Sequence, residues 1–142
     1  MKKKKIVKYK QPKVKKRIFK RKPIDASMVT TSAIERLFGV WCSKIGIQLE
    51  PQFQIGSKFY DFKVKDKKIL IEFQGSYFHG DERLFEKKDL NGMQRKNKLN
   101  DKFKKNLANA EGYKLVEVWE EDFKNNSNNL KNELLKIIED FN

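Results

Sequence analysis

The stretch Phe59-Tyr60-Asp61-Phe62-Lys63-Val64-Lys65-Asp66-Lys67-Lys68-Ile69-Leu70-Ile71-Glu72-Phe73-Gln74-Gly75 carries the fold of this 142-residue chain. Residues 59–64 alternate: Phe59, Asp61 and Lys63 share one side, and Tyr60, Phe62 and Val64 share the other, which is the period of a strand. Lys65-Asp66-Lys67-Lys68 reads as a polar turn. Ile69 to Gln74 is nearly continuously apolar, with Leu70, Glu72 and Gln74 together on one side. If the two strands pair as a hairpin, Asp61 and Glu72 lie at the ends of neighbouring strands. An acid within so apolar a strand needs a partner, because burying it unpaired is expensive.

On the N-terminal side, Ser32 followed three residues later by Glu35 has the capping-box pattern of a helix start. Ile34, Leu37, Phe38, Trp41, Cys42 and Ile45 then recur at helical spacing, and Gly46 is a natural stop. Leu49 to Ile55 is a third strand, confined by Pro51 to a sheet edge or an irregular start. Beyond Gly75 no period is visible as far as Met93, so that segment is expected to be a loop beside the sheet. A second helix is expected over 94–110, with Leu99, Phe103, Leu107 and Ala110 as its core face and Gly112 ending it. Tyr113–Glu120 reads as a strand and Asn125–Asn129 as a polar break. The last helix carries Leu130, Leu134, Ile137, Ile138 and Phe141. Helix, three strands, helix, strand, helix implies an α/β (α+β) domain: a mixed sheet flanked by helices, closed by a C-terminal helix.

The charge is uneven. Residues 1–23 hold thirteen of the 33 basic residues and no acid, which leaves twenty basic against nineteen acidic residues for positions 24–142. The expected organisation is a flexible basic arm over 1–23 and a single domain over 24–142. Lys2, Lys3, Lys4, Lys5, Lys13, Lys15, Lys16, Arg17, Lys20, Arg21 and Lys22 suit a polyanion, whose binding would fall steeply with salt. A merely solubilising tail is the alternative. No apolar run approaches the roughly 20 residues of a membrane span, and no secretory h-region follows the arm. The expectation is a soluble, cytoplasmic protein. Cys42 stands alone on the apolar stripe, so it reads as a small buried hydrophobe. One Cys and one His cannot build a structural zinc site.

The chemistry rests on the hairpin acids. If Asp61 and Glu72 point from one sheet face, they can share a divalent cation, Mg2+ or Mn2+. Such an ion lowers the pKa of water and offsets charge growing on a phosphoryl group. Gln74, on the same side as Glu72, can orient water or phosphate. The competing reading pairs the acids with Lys63, Lys65 or Lys68, and spacing alone does not choose. His79, the only histidine, follows the sheet edge and can exchange a proton near neutral pH. Arg95, Lys96, Lys98, Lys102, Lys104 and Lys105 crowd the second helix, as a solvated face or as phosphate contacts. Tyr77 and Phe78 can stack on bases or cover the sheet edge.

Asp61, the strand end Ile71-Glu72-Phe73-Gln74-Gly75, His79, Asn100-Asp101-Lys102, Glu111-Gly112-Tyr113-Lys114-Leu115-Val116 and Trp119-Glu120 together resemble the PD-(D/E)XK nuclease superfamily. The likeness is greatest to the very short patch repair (Vsr-like) endonucleases and the phage EDxHD homing endonucleases, and it covers about residues 30–125. It implies a restriction-endonuclease-like αβββαβ core and a metal-dependent DNA endonuclease of a bacterium or a phage-infected host cell. Carried over by position, Glu35 is the first-helix acid, Asp61 the main metal ligand, His79 the histidine and Asp101 the last acid. Glu72 matches the glutamate of the superfamily's E-x-K pair, and Gln74 stands where lysine is usual.

Helical phase places Asp101 nearly opposite the Leu99–Phe103–Leu107 stripe, where a solvated acid would sit, and Asp81 is a spare acid near His79. Glu35 is also explained by its capping box. A non-catalytic nucleic-acid binder that keeps the fold is the competitor from another class, favoured by Gln74 in the lysine position. A junction-resolving nuclease would use the same core and arm. No interface is legible, although two-strand cleavage would suggest a dimer.

Overall fold

The computed structural model describes residues 32–141. The basic arm, with its eleven candidate DNA-contacting residues from Lys2 to Lys22, lies outside them. Helix α1 spans Ala33–Lys44, capped by Ser32, whose Oγ accepts the Glu35 N–H at 3.2 Å. Its end is a Schellman turn: Gly46, at φ +88°, donates to the Ser43 carbonyl, and Ile47 donates to that of Cys42. Strands β1 (Leu49–Ile55), β2 (Lys58–Val64) and β3 (Ile69–Gln74) follow, then helix α2 (Gly92–Ala110) and strand β4 (Lys114–Trp119). Helix α2 repeats the same ending, with Gly112 at φ +81° and Tyr113 donating to the Ala108 carbonyl. Helices α3 (Glu120–Asn125) and α4 (Ser127–Asp140) complete the chain. The short α3 was not expected. It places Phe123 edge-on to Phe38 at 5.5 Å and to Phe73 at 5.8 Å.

The sheet order is β1-β2-β3-β4, antiparallel except for the parallel β3–β4 pair, and α2 makes the crossover that a parallel pair requires. Pro51 lies on the edge strand, as its missing N–H dictates. The larger core lies on the face covered by α1, α3 and α4. It contains Phe38, Cys42, Phe62, Val64, Ile69, Ile71, Phe73, Val118, Leu130 and Leu134. Cys42 is fully buried, and burial pushes its thiol up to about 12. On the α2 face a smaller cluster joins Tyr60, Leu70 and Ala108, with Phe53, Ile55, Tyr113 and Leu115 around it.

Two expectations are corrected. Tyr60 does not share a face with Phe62 and Val64: it packs with Leu70 and Ala108, whereas they pack with Phe38. The β1–β2 register holds from Leu49↔Val64 to Ile55↔Lys58 but skips Gln52 and Asp61, and Gln52 has φ +54°. The ribbon turns over at that point, so side chains on either side of it serve different cores.

The second correction concerns α2. Leu99 is 71% exposed and Phe103 55%, while Gln94, Lys104 and Ala108 are buried. The helix packs on the sheet through its polar side.

Candidate active site

The site forms where β2 and β3 part. Their paired residues are Phe62↔Ile71 and Lys63↔Leu70, and the ladder does not continue to Asp61 and Glu72. Carboxylates take over instead. Glu72 Oε1 accepts the Asp61 N–H at 3.0 Å, and Asp61 Oδ2 accepts the Phe73 N–H at 2.8 Å. This exchange satisfies backbone donors that would otherwise be buried unpaired, and it brings the two acids together. Glu35, buried on the first turn of α1, lies within hydrogen-bond reach of Asp61. Only half of its capping box forms, through its N–H, and its carboxyl turns into the site.

Crowding three acids has an electrostatic consequence. Burial, then the neighbouring Glu35 charge, pushes Asp61 up to about 7. Burial, then the Asp61 charge, pushes Glu72 up to about 7. Burial likewise raises Glu35. Among the described residues the cation that meets them is Lys104 of α2, whose Nζ lies 2.8 Å from Glu72 Oε1. Both side chains are about nine-tenths buried, at 10% and 8% exposure. The same ammonium sits 4.8 Å from the centre of the Tyr60 ring, and the Tyr60 hydroxyl donates to the Lys104 carbonyl at 2.6 Å. Lys63 pairs instead with Glu50, at 3.7 Å. The hairpin lysines therefore do not neutralise the acids.

The second half of the site also comes from α2. His79 Nδ1 is 2.7 Å from Asp101 Oδ2. An ionised aspartate only accepts, so Nδ1 carries the proton and Nε2 is the nitrogen left for exchange. One turn earlier, Asn97 Nδ2 donates to the Phe78 carbonyl at 2.8 Å, and two turns earlier Gln94 Nε2 donates to the Tyr77 carbonyl at 2.7 Å. Positions 94, 97, 101 and 104 thus grip the loop and the strand end that hold the candidate residues. Asp101 is not a solvated acid, because the helix is rotated relative to its apolar stripe.

Asp81 has a different task. Buried, it accepts from Arg83 Nε at 3.0 Å and Nη2 at 2.7 Å, while Arg83 Nη1 reaches Asp122 of α3 at 2.6 Å. Arg83 holds Asp81 below the usual carboxylate range. This fork ties the loop after β3 to α3. Gly80 (φ +61°) passes so close to Leu90 that an added Cβ would lie 2.6 Å from its side chain. Arg95 and Lys98 line a groove of about 1020 Å³, with Lys87, Lys88, Lys102 and Leu99. Beside His79, Phe78 is exposed.

Among the described residues no group of three or more His, Cys, Asp or Glu side chains is arranged as a ready metal-binding set. A hard cation that keeps several waters needs only one or two carboxylates. Asp61 and Glu72 fit that demand. Glu35 Oε2 and Gln74 Oε1 are buried with no hydrogen-bond partner, two oxygens at the site that lack a donor.

Lys104 is the residue the sequence reading missed, having been counted with the basic run of α2. A signal was available, since Asp101 and Lys104, three apart, must share a helix face. No helix among the described residues is long and apolar enough to cross a membrane.

No family model and no curated protein matches the sequence. Among solved structures, the catalytic domain of the homing endonuclease I-Bth0305I is similar, with a TM-score of 0.53 and 18% sequence identity. The match covers 75% of this chain and 93% of that domain. At that identity the likeness is one of fold, and the chain shares its fold with a nuclease catalytic domain.

Proposed function

We propose that this chain is a metal-dependent DNA endonuclease, an enzyme that hydrolyses phosphodiester bonds, of the homing or Vsr-like type within the PD-(D/E)XK superfamily. The observation that carries this reading is the pair of bonds at the parted strands, the Asp61 N–H to the Glu72 carboxylate and the Phe73 N–H to the Asp61 carboxylate, with the His79–Asp101 pair beside them. The similar homing endonuclease domain supports the same class. Asp61 and Glu72 would hold Mg2+ or Mn2+, with Glu35 behind them. The ion would acidify a bound water and offset phosphoryl charge. His79, held through Nδ1 by Asp101, exchanges a proton at Nε2 with water or the leaving oxygen, a contribution typically worth about 10²–10⁴ in rate. Gln74, next but one to Glu72, supplies an unpartnered amide oxygen for orienting water.

DNA would approach over Arg95, Lys98 and the groove they line, with exposed Phe78 beside His79 able to stack on a base. The arm over 1–23 would add sequence-blind phosphate contacts. Such an enzyme works where DNA is, in the cytoplasm of a bacterium or a phage-infected cell.

The test is nicking of supercoiled plasmid with Mg2+ or Mn2+, comparing wild type with Asp61→Ala. Metal-dependent cleavage by wild type alone is expected. DNA binding without cleavage by the wild type sinks the enzyme and leaves a nucleic-acid binder of the same fold. That reading draws on the buried Lys104–Glu72 pair, which partly occupies the site's charge. Deleting residues 2–22 should weaken binding and flatten its salt dependence. An unchanged salt slope would refute the role of the arm.

A further inference from the structure

We propose that Lys104 is a fixed second cation of this site, so that the site takes one divalent metal ion and not two. The inference rests on the reading of Asp61 and Glu72 as metal-binding carboxylates and goes beyond it in assigning the number of ions. Many phosphodiester-cleaving sites place two metal ions about 3.5–4 Å apart, one at each end of the reacting phosphate. Here the Glu72 end already carries a positive charge. Lys104 Nζ is 2.8 Å from Glu72 Oε1, and that same oxygen accepts the Asp61 N–H at 3.0 Å.

The ammonium is not free to leave. It is buried, the Tyr60 ring stands 4.8 Å away, and the Tyr60 hydroxyl fixes the Lys104 carbonyl at 2.6 Å. A second metal ion at Glu72 would have to strip the carboxylate from a buried lysine and leave that charge unpaired, which is strongly unfavourable. Charge counting agrees. Glu35, Asp61 and Glu72, when ionised, carry three negative charges against the one positive charge of Lys104. A single divalent ion balances the remainder, and two would overshoot it. The lysine at Glu72 thus comes from α2, while Gln74, two residues further along the strand, is neutral.

The experiment counts Mn2+ bound to the full-length protein without DNA, by calorimetric titration and by the free-ion electron paramagnetic resonance signal. Wild type should bind one ion, and Asp61→Asn none. Lys104→Met, which keeps the length of the side chain and removes its charge, should bind two, and Lys104→Arg should return the count to one. Circular dichroism melting accompanies each variant. Should Lys104→Met fail to fold, the charge-conserving pair Gln74→Lys with Lys104→Met substitutes for it and should bind one.

Two ions in wild type, none in wild type, one in folded Lys104→Met, or a count other than one in the double variant overturns the inference. Plasmid cleavage run on the same samples separates the two readings. A wild type that binds one ion and cuts no DNA refutes the nuclease, while the count in Lys104→Met still decides the role of Lys104.

Discussion

Helices α1 and α2 cover opposite faces of one sheet, and both end in the same glycine turn, yet they bury opposite kinds of surface. Helix α1 turns Phe38 and Cys42 inward, with Ile34, Trp41 and Ile45 packed around them. Helix α2 turns Gln94, Lys104 and Ala108 inward and leaves Leu99 and Phe103 in solvent. The first is held by desolvation, which an apolar stripe reports faithfully. The second adds to its small Tyr60–Leu70–Ala108 cluster a set of hydrogen bonds and the Lys104–Glu72 ion pair to the loop and strand of the candidate site. A polar network buried in this way is specific only when its members are satisfied together. The rule that apolar means inward fails where the inward face lines the candidate site.

The contrast can be tested by substitution. Phe38→Ala removes a ring that touches Trp41, Phe62, Phe73 and Phe123. It should cost about 3–5 kcal/mol of stability in urea unfolding. A loss below ~1 kcal/mol would mean that α1 is not anchored as described.

Asp61→Asn should stabilise the metal-free protein, in a pH-dependent way. The Asp61 carboxyl rises from 3.8 to about 7 on folding, so the folded state holds the extra proton between those values. Stability therefore falls as pH rises through that window, at up to roughly 1.4 kcal/mol per pH unit, and the penalty is complete above it. The advantage of the asparagine variant should be absent below about pH 4 and full above about pH 7, with saturating Mg2+ narrowing it by stabilising wild type. Thermal melts across pH check this, and an advantage that shrinks as pH rises would contradict it.

Asp101→Asn should leave the fold intact and slow plasmid cleavage about 10- to 100-fold, equivalent to roughly 1.4–2.7 kcal/mol, because His79 loses its orienting charge. An unchanged rate would remove Asp101 from the site. The smallest effect is expected on the outer face of α2, where Leu99→Ala and Phe103→Ala should each shift stability by no more than about 0.5 kcal/mol. Losses of several kcal/mol there would restore the apolar stripe as the buried face.

Much of the architecture was legible because it depends on local pattern. The strands Leu49–Ile55 and Ile69–Gln74 end where their residue types change, and Gly46 and Gly112 stop their helices at positive φ. Pro51 announced an edge. The reversal of β2 at Asp61 was not legible, because strand alternation is a two-residue rule. The turnover there involves the unpaired Gln52 of the neighbouring strand. The pairing of His79 with Asp101 was hidden by helix phase, and the pairing of Glu72 with Lys104 by the abundance of lysines around it.

From residue types and spacing came the order of the main elements, the mixed sheet and the candidate acids Asp61 and Glu72, while the resemblance added Glu35 and Asp101. These follow from periodicity, turn chemistry and the resemblance those residues carry, all of which are written along the chain. Which lysine meets Glu72, which side of α2 is inward and how the acids replace the strand ladder were decided only in three dimensions. The physical reason is that each depends on the charge or donor left unsatisfied by a segment distant in sequence, and no local pattern records that debt.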